Sequence, residues 1–431
     1  MSFARATAKI SVITIVSRIL GFLRDTLIAK FIGVGIVSDA FFVALKLPNL
    51  FRRIFAEGAM SSSFIPIFSE IKKENGAQKA FTFANNIFSL LFFVLLPLCV
   101  LAEIFMPTLI RTIAPGLVND GARLVLAIEM ARICFPFLFT VSLVSVMGSV
   151  LNSFNKFSIY AVMPIIFNLS IILALFVFSS NVKIIGHMMA LAVLFAGIIQ
   201  LSLIYYFAYA LGFKICLKFP QLDKVMKRFL HVVGPNITSA GLVQINVFIN
   251  MIIASMLPLG TISYVYYADR LYQLPLGIVG IAIGTAILPF LSQEVANKDQ
   301  QQINNLFNRG LEIGLLFSLP AAVALMFLSY PIVEILFVHG KFATSDAIIT
   351  ARLLVILAFS IPPAIAQKVL TATFFAHKNS KIPLYNSIIG IVINLLGGII
   401  LSQVFGVIGI VLALSVSIWI QALVLGYGLW Q

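Results

Sequence analysis

Residues 17–55 read SRILGFLRDTLIAKFIGVGIVSDAFFVALKLPNLFRRIF, an apolar stretch interrupted by charged side chains. A helix of about 20 such residues is long enough to cross a bilayer. An arginine at the centre of a membrane helix, however, opposes insertion by about 3 kcal/mol. The stretch therefore predicts membrane-spanning helices whose charged residues serve a purpose other than folding.

The rest of the chain has the same apolar character. Of its 431 residues, 61% are hydrophobic and only 10% are charged, whereas about a quarter are charged in soluble domains. This composition excludes an ordinary soluble protein and predicts an all-α polytopic membrane protein with about twelve transmembrane helices. The predicted spans are residues 8–32, 37–69, 80–110, 124–151, 157–179, 184–211, 230–257, 262–292, 304–330, 347–375, 382–403 and 406–430.

The two halves of the sequence repeat one another. SSSFIPIFSE at 61–70 parallels GTAILPFLSQE at 284–294, and Pro97 parallels Pro320. Six spans in each copy are an even number, so both copies enter the membrane in the same orientation. We therefore predict two parallel six-helix lobes around a central cavity. The predicted domains are an N-terminal lobe at 1–211, a basic amphipathic interfacial linker helix at 212–231 and a C-terminal lobe at 232–431.

The net charge of +14 is spread over short connections, without the basic domain or aromatic-interleaved patch of a nucleic-acid-binding protein. Lysines and arginines concentrate in the connections on the N-terminal side of the membrane. By the positive-inside rule, both termini are predicted to be cytoplasmic. In the linker, LDKVMKRFLHVV at 222–233 alternates apolar and basic residues at helical spacing, which predicts a helix on the inner leaflet.

Charged residues of the first two spans form the candidate site. Arg18 and Asp25 are seven residues apart and share a helix face. Across residues 18–57 arginines and lysines outnumber carboxylates, and the surplus indicates a bound anion. The forked guanidinium group suits phosphate oxygens, so several arginines in one cavity suit a diphosphate. The alternative is structural pairing, in which Arg18, Arg24, Asp25 and Glu57 neutralise one another.

The second lobe carries fewer charges. Arg270 is its candidate anion-binding residue, and Asp269 is the acid beside it. The seventh span instead presents a polar stripe at spacings of 3, 7 and 4. Hydrogen bonding between helices and contact with a substrate or ion explain this stripe equally well. The stripe consists of Asn236, Ser239, Asn246 and Asn250.

Signals of catalysis or metal binding are scarce. The four histidines lack ligand spacing, the three cysteines form no metal or disulfide pattern, and no glycine-rich phosphate loop follows a strand. We therefore predict a transporter with no catalytic residues, no metal and no cofactor.

Three long motifs carry a resemblance to a known family. SRILGFLRD at 17–25, SDAFFVALKLPNLFRRIFAEGAMSSSFIPIFSE at 38–70 and YYADRLYQLPLGIVGIAIGTAILPFLSQE at 266–294 resemble the MurJ (MviN) family of lipid II flippases. That family lies within the multidrug/oligosaccharidyl-lipid/polysaccharide (MOP) exporter superfamily. The resemblance implies a MATE-like fold and movement of lipid II, an undecaprenyl-diphosphate-linked disaccharide pentapeptide, from the inner to the outer leaflet for peptidoglycan assembly.

The resemblance also implies roles for particular residues. The family's cationic cavity receives the diphosphate and sugar, at positions that match Arg18, Arg24, Arg52 and Arg270. Acidic positions of the family, where carboxylates position arginines or couple opening to closing, match Asp25, Asp39 and Glu57. The chain departs from the family in having Gln273 where many relatives have glutamate, and about twelve spans where fourteen are common.

Several interpretations stay open at this point. The runner-up function is a MOP-superfamily exporter of another polyprenyl-diphosphate glycan, or a drug/cation antiporter. A membrane-embedded lipid diphosphatase or glycosyltransferase is the alternative from another class. A proton, a sodium ion and the membrane potential all fit as the driving force. The expected location is the bacterial cytoplasmic membrane, and the candidate partners are lipid II, membrane lipids and other proteins of cell-wall synthesis.

Overall fold

The structure, a computed structural model, describes residues 3–55 and 59–430. All regular secondary structure in these two ranges is helical, which confirms the all-α prediction. By their internal contacts the residues form two compact units, Met1–Gln244 and Ile245–Gln431. The division lies later in the chain than the predicted linker.

The first unit holds ten helices and the beginning of an eleventh. A short 3-10 helix, Pro115–Asn119, follows the fifth. The helices are α1 Phe3–Ile32, α2 Ile36–Phe55, α3 Ala59–Asn75, α4 Ala77–Ile104, α5 Met106–Ile113, α6 Gly121–Cys134, α7 Phe137–Ser153, α8 Phe157–Ala161, α9 Met163–Phe178, α10 Val182–Ala210 and α11 Lys224–Ser255.

The second unit begins within α11 and holds eight more helices. A five-residue π-helical segment, Leu276–Gly280, joins the first two of them. The helices are α12 Thr261–Pro275, α13 Ile281–Asn297, α14 Gln300–Phe327, α15 Ser329–Phe337, α16 Thr344–Phe359, α17 Ile361–Ala376, α18 Lys381–Phe405 and α19 Val407–Trp430.

Each of the twelve predicted spans is helical over most of its described residues. Nine helical segments of the described chain are long and apolar enough to cross a membrane, and they coincide with the third to sixth and eighth to twelfth spans. The remaining three predicted spans, 8–32, 37–69 and 230–257, carry most of the charged and amide side chains of the candidate site, while Asp269 and Arg270 lie in the eighth span.

The repeat is visible in the positions of the helices. Helices α4, α5 and α6 each begin 223 positions before a counterpart in the second unit, and α4 and α14 carry Pro97 and Pro320 at that same spacing. Equal spacing of successive helix starts is expected when one supersecondary unit has been duplicated. The paired starts are Ala77 and Gln300, Met106 and Ser329, and Gly121 and Thr344.

The linker differs from its prediction. Residues 213–223 form neither helix nor strand, and the helix begins only at Lys224. Pro220 disfavours helical geometry in the residue before it, and Asp223 Oδ1 accepts a hydrogen bond from the Met226 amide at 2.7 Å, which caps the new helix. The predicted apolar face is present, but Met226 and Phe229 pack into the core of the first unit instead of facing lipid.

Asparagine side chains on α4 hold the non-helical segment in place. Asn85 donates to the Lys214 carbonyl at 2.9 Å and accepts from the Cys216 amide at 3.0 Å. Asn86 does the same at Gln221, donating at 2.6 Å and accepting at 2.7 Å. Each side-chain amide thus satisfies the backbone groups that a helix would have paired.

An ion pair at the surface joins α3 to the start of α11. Arg228 donates to both carboxylate oxygens of Glu70, at 2.7 and 2.9 Å. These hydrogen bonds to Arg228 hold the pKa of the Glu70 carboxyl below its ordinary value of 4.5. Both side chains are exposed, so the attraction is screened by water and salt.

Arg228→Gln is expected to lower the melting temperature slightly at neutral pH, and the loss is expected to disappear in acid. A carboxylate with a lowered pKa stabilises the folded state fully above its ordinary pKa, and this contribution fades as the pH falls through the lowered value. Melting temperatures of both proteins, measured in detergent from pH 3 to 7, test this. A difference that is constant over the whole range contradicts it, and Lys227→Gln is the matched control.

Candidate functional site

Arg24 is buried and fully engaged with its neighbours. Its Nε and Nη2 atoms donate to Asp25 Oδ1 at 2.9 and 2.7 Å, and Nη1 donates to Asn168 Oδ1 at 3.0 Å. Arg24 is 5% exposed and Asp25 1%. The guanidinium carbon also lies 5.7 Å from the centroid of the Phe167 ring. In the described structure, therefore, Arg24 links α1 to α9 within the first unit.

Asn168 joins its own helix, α9, to α1. Its Nδ2 atom donates to the Ser17 carbonyl at 3.1 Å, while its oxygen accepts from Arg24. A Cβ atom built at Gly21 would lie 3.4 Å from the same Nδ2, an ordinary van der Waals distance, so Asn168 lies directly against this part of α1. Asn168 lies 144 residues after Arg24 and was missed by sequence reasoning, because an asparagine in an apolar span gives no sign of its partner.

Asp39 forms the second buried ion pair of the first unit. Arg123 Nη2, on α6, donates to Asp39 Oδ2 at 3.0 Å, and the two residues are 5% and 0% exposed. Among the described residues, Arg123 Nε is buried without a hydrogen-bond partner. Sequence reasoning missed Arg123 as a site residue, because it lies 84 residues after Asp39. The missed signal was Asp120, which caps α6 by accepting from the Arg123 amide and so places Arg123 in its first turn.

The second unit has a counterpart of this pair in which a tyrosine replaces the arginine as the donor. There the Tyr264 hydroxyl donates to Asp346 Oδ1 at 2.8 Å. Tyr264 lies on α12 and Asp346 on α16, which occupy the places of α2 and α6 in the repeat. The contact between α2 and α6 is thus ionic, whereas the contact between the corresponding helices α12 and α16 is a phenol–carboxylate hydrogen bond.

The remaining candidate arginines are more accessible than Arg24. Arg18 on α1 is exposed, and Arg52 on α2 is partly buried, with its Nε donating to Asn49 Oδ1 at 3.2 Å. In the second unit, Arg270 lies over the Tyr266 ring at 4.8 Å and donates from Nη2 to the Tyr266 hydroxyl at 2.8 Å. Stacking and hydrogen bonding to one tyrosine fix the plane of this guanidinium.

The two remaining predicted acids are Asp269 and Glu57, and the structure describes only Asp269. Asp269 is partly buried and accepts a long hydrogen bond, 3.3 Å, from Gln273. The amide of Gln273 thus donates to the carboxylate, which a glutamate at this position could do only when protonated. Glu57 lies outside the described residues.

The polar stripe of α11 makes contacts between helices. Asn246 and Asn250 both accept hydrogen bonds from Asn394 Nδ2 on α18, at 3.3 and 3.0 Å. Asn236 donates to the Ser63 hydroxyl on α3 at 3.1 Å. Of the two open interpretations, the described contacts support hydrogen bonding between helices. The side chain of Ser239 lies outside the described part of the chain.

Metal chemistry finds no support in this site. No group of three or more histidine, cysteine, aspartate or glutamate side chains that could hold a metal ion occurs within the described residues. The chemistry of the site is that of guanidinium groups, their acidic partners and side-chain amides. Such groups can bind an anion by charge and hydrogen bonding.

The fold defines the class of protein. The structure resembles that of a multidrug resistance MATE family transporter of the MOP superfamily in its inward-facing conformation, with a TM-score of 0.78, 15% identity, and coverage of 99% of this chain and 97% of that one. At this identity the likeness shows the fold alone. The chain therefore has the fold of MOP-superfamily transporters.

More similar proteins show the family. Residues 28–431 match the family described as lipid II flippase MurJ, and this chain belongs to it. A probable lipid II flippase MurJ from Buchnera aphidicola is 36% identical over 100% of this chain and 84% of its own length. One from Rhizobium tropici is 37% identical, over 98% and 80%.

A solved structure agrees with this assignment. It is of lipid II flippase MurJ in the inward closed conformation, and its TM-score with this chain is 0.85 at 30% identity. The match covers 98% of this chain and 87% of that one. The resemblance seen in the sequence motifs is thereby confirmed, and so is the predicted fold class.

Proposed function

We propose that this protein is a lipid II flippase, which moves the lipid-linked peptidoglycan precursor from the inner to the outer leaflet of the cytoplasmic membrane. It is a transporter and not an enzyme. The observation that carries the proposal is membership of the MurJ family over residues 28–431, together with arginines on membrane helices of both units. Both termini are proposed to be cytoplasmic, by the positive-inside bias.

The chemistry of the arginines supports a diphosphate ligand. Guanidinium groups make paired, charge-assisted hydrogen bonds to phosphate oxygens, and such bonds are roughly twice as strong as neutral ones. Arg18, Arg52 and Arg270 are all at least partly exposed, and we propose that they contact the headgroup. Arg24 is buried in the described structure, so its contact with a substrate requires release from Asp25 and Asn168.

The internal repeat supports alternating access. Parallel repeats of six spans are a common basis for transporters whose two halves rock about a site near the middle of the membrane. We propose that Asp25, Asp39, Glu57 and Asp269 hold or release arginines during this cycle. Protons, sodium ions and the membrane potential are the candidate sources of energy, and transport under separately imposed gradients distinguishes them.

Reconstitution tests the function directly. Proteoliposomes carrying fluorescent lipid II in the inner leaflet are expected to expose its headgroup to an added membrane-impermeant quencher only when the protein is present. A polyprenyl-diphosphate lipid with another glycan and a cationic drug serve as competing substrates. Preferential transport of either one supports the alternative exporter functions, and release of phosphate or a glycosidic product supports an enzyme.

A further inference from the structure

Lys368 is a cation within a membrane span that the proposed arginine site does not use. It lies on α17, inside the predicted span 347–375, and its side chain is exposed. Within the described part of the chain it takes part in no hydrogen bond or ion pair. A lysine in such a place costs about 3 kcal/mol to insert, and intramembrane charges usually mark a functional site.

The aliphatic part of the Lys368 side chain lies against two glycines, Gly280 and Gly284. A Cβ atom built at Gly280 would lie 3.9 Å from Lys368 Cγ, and one built at Gly284 would lie 3.7 Å from Lys368 Cβ. Gly280 ends the π-helical segment Leu276–Gly280, a local geometry that is frequent at functional sites. The two glycines keep the helix surface beside the lysine free of side chains.

The nearest neighbours of Lys368 on its helix face are small. Ala364 and Thr371 lie four residues before and three after, and the next large side chain of this face is the exposed Phe375, seven residues after. By contrast, α14 exposes a row of large apolar side chains, as expected for contact with acyl chains: Leu315, Leu316, Phe317, Leu319 and Val323. A charged side chain within a membrane span typically faces a water-filled or ligand-filled space, and small neighbours leave room for one beside Lys368.

The repeat indicates that the fold does not require this lysine. The corresponding position of the first unit, 223 residues earlier, is Ser145 on α7, which is 1% exposed. The serine packs inside its unit where the lysine is exposed. Lys368 is therefore a feature of the second unit alone, as expected for a residue that contacts a ligand.

We propose that Lys368 binds a peptide carboxylate of the transported lipid. Gly280 and Gly284 follow Arg270 by ten and fourteen positions on one run of helix, which is about 15–21 Å at 1.5 Å per residue. A diphosphate bound at Arg270 is too short to reach so far, whereas an extended pentapeptide spans about 17 Å. This inference rests on the proposed function, because only a peptide-bearing lipid supplies such a carboxylate.

Binding in detergent, without anionic phospholipid, tests the proposal with three probes. The probes are lipid II, lipid II with its peptide carboxylates converted to amides, and undecaprenyl diphosphate. Lys368→Met is expected to weaken binding of lipid II about tenfold, which is typical of one charge-assisted hydrogen bond, and to leave the other two probes unchanged. Lys368→Arg should retain most of the affinity, and Lys341→Met, outside the predicted spans, is the matched control.

Other results of this experiment separate failure of the Lys368 proposal from failure of the proposed function. The wild-type protein alone should bind lipid II about tenfold more tightly than its amidated form, so the proposal stays testable even if the methionine variant does not fold. Equal loss for undecaprenyl diphosphate, no loss at all, or a loss that appears only in nanodiscs containing phosphatidylglycerol overturns it. The last result would assign Lys368 to a lipid headgroup. Failure of the wild-type protein to bind any diphosphate probe instead contradicts the proposed function.

Discussion

Asp39→Ala is expected to lower the free energy of unfolding by about 3–5 kcal/mol, a cost typical of removing one partner from a buried ion pair. Asp39 is 0% exposed and accepts from Arg123 at 3.0 Å. Without the carboxylate, the guanidinium of Arg123 stays buried with no opposite charge beside it. SDS-induced unfolding in mixed micelles measures the loss.

A double-mutant cycle separates the pair from its surroundings. Arg123→Met alone is expected to cost a similar amount, because it leaves the Asp39 carboxylate buried. The double variant Asp39→Leu with Arg123→Met should cost much less than the sum, since no unpaired charge remains. If the two effects simply add, the pair does not act as a unit in the folded state.

The repeat offers a matched control for this cycle. Tyr264→Phe removes the counterpart contact between α12 and α16, in which Asp346 is only partly buried. A hydrogen bond to a charged group contributes about 1.5–3 kcal/mol, and the partial exposure of Asp346 places this one at the lower end. The control variant should therefore be clearly more stable than Asp39→Ala. Equal losses at the two places would mean that charge burial is not the cause.

Sequence reasoning located the spans well because span length and hydropathy are local properties. It did not predict where several spans break into two helices. In the structure the fourth span divides around Pro136 and the tenth divides just before Pro362. Proline is tolerated at a helix start because its missing amide is not needed there. In apolar spans of this length, proline fits either a kink or a new helix start, so the sequence alone did not decide.

The candidate site was predicted only in part, because charge partners are set by tertiary packing. Asp39 pairs with Arg123, 84 residues away, and Arg24 bonds to Asn168, 144 residues away. A count of charges in residues 18–57 includes neither partner.

The described contacts of Arg24 are compatible with both interpretations of the arginines, structural pairing and binding of an anion. Arg24 belongs to a structural cluster with Asp25 and Asn168, as the pairing hypothesis stated. A guanidinium group in such a cluster can still bind a substrate if an acidic substrate competes with Asp25. A lysine substitution distinguishes the two roles, because lysine keeps the charge of arginine but lacks its planar fork.

Arg24→Ala and Arg270→Ala are each expected to reduce the rate of lipid II exposure in proteoliposomes more than tenfold. Each variant removes a guanidinium whose charge-assisted hydrogen bonds to phosphate contribute about 1.5–3 kcal/mol. Undiminished transport in both variants would exclude the diphosphate site. Arg309→Ala, an exposed arginine on α14, is the control and should transport as the wild type does.

Arg24→Lys separates substrate binding from stability. An ammonium group can stay beside Asp25 and keep an opposite charge there, so the unfolding free energy should fall far less than for Arg24→Ala, which takes the guanidinium away from the 1%-exposed carboxylate. It cannot reproduce the three directed hydrogen bonds to Asp25 and Asn168, nor a forked contact with phosphate. A stable protein with transport reduced more than tenfold is therefore expected. Wild-type transport by Arg24→Lys would mean that this position supplies charge alone.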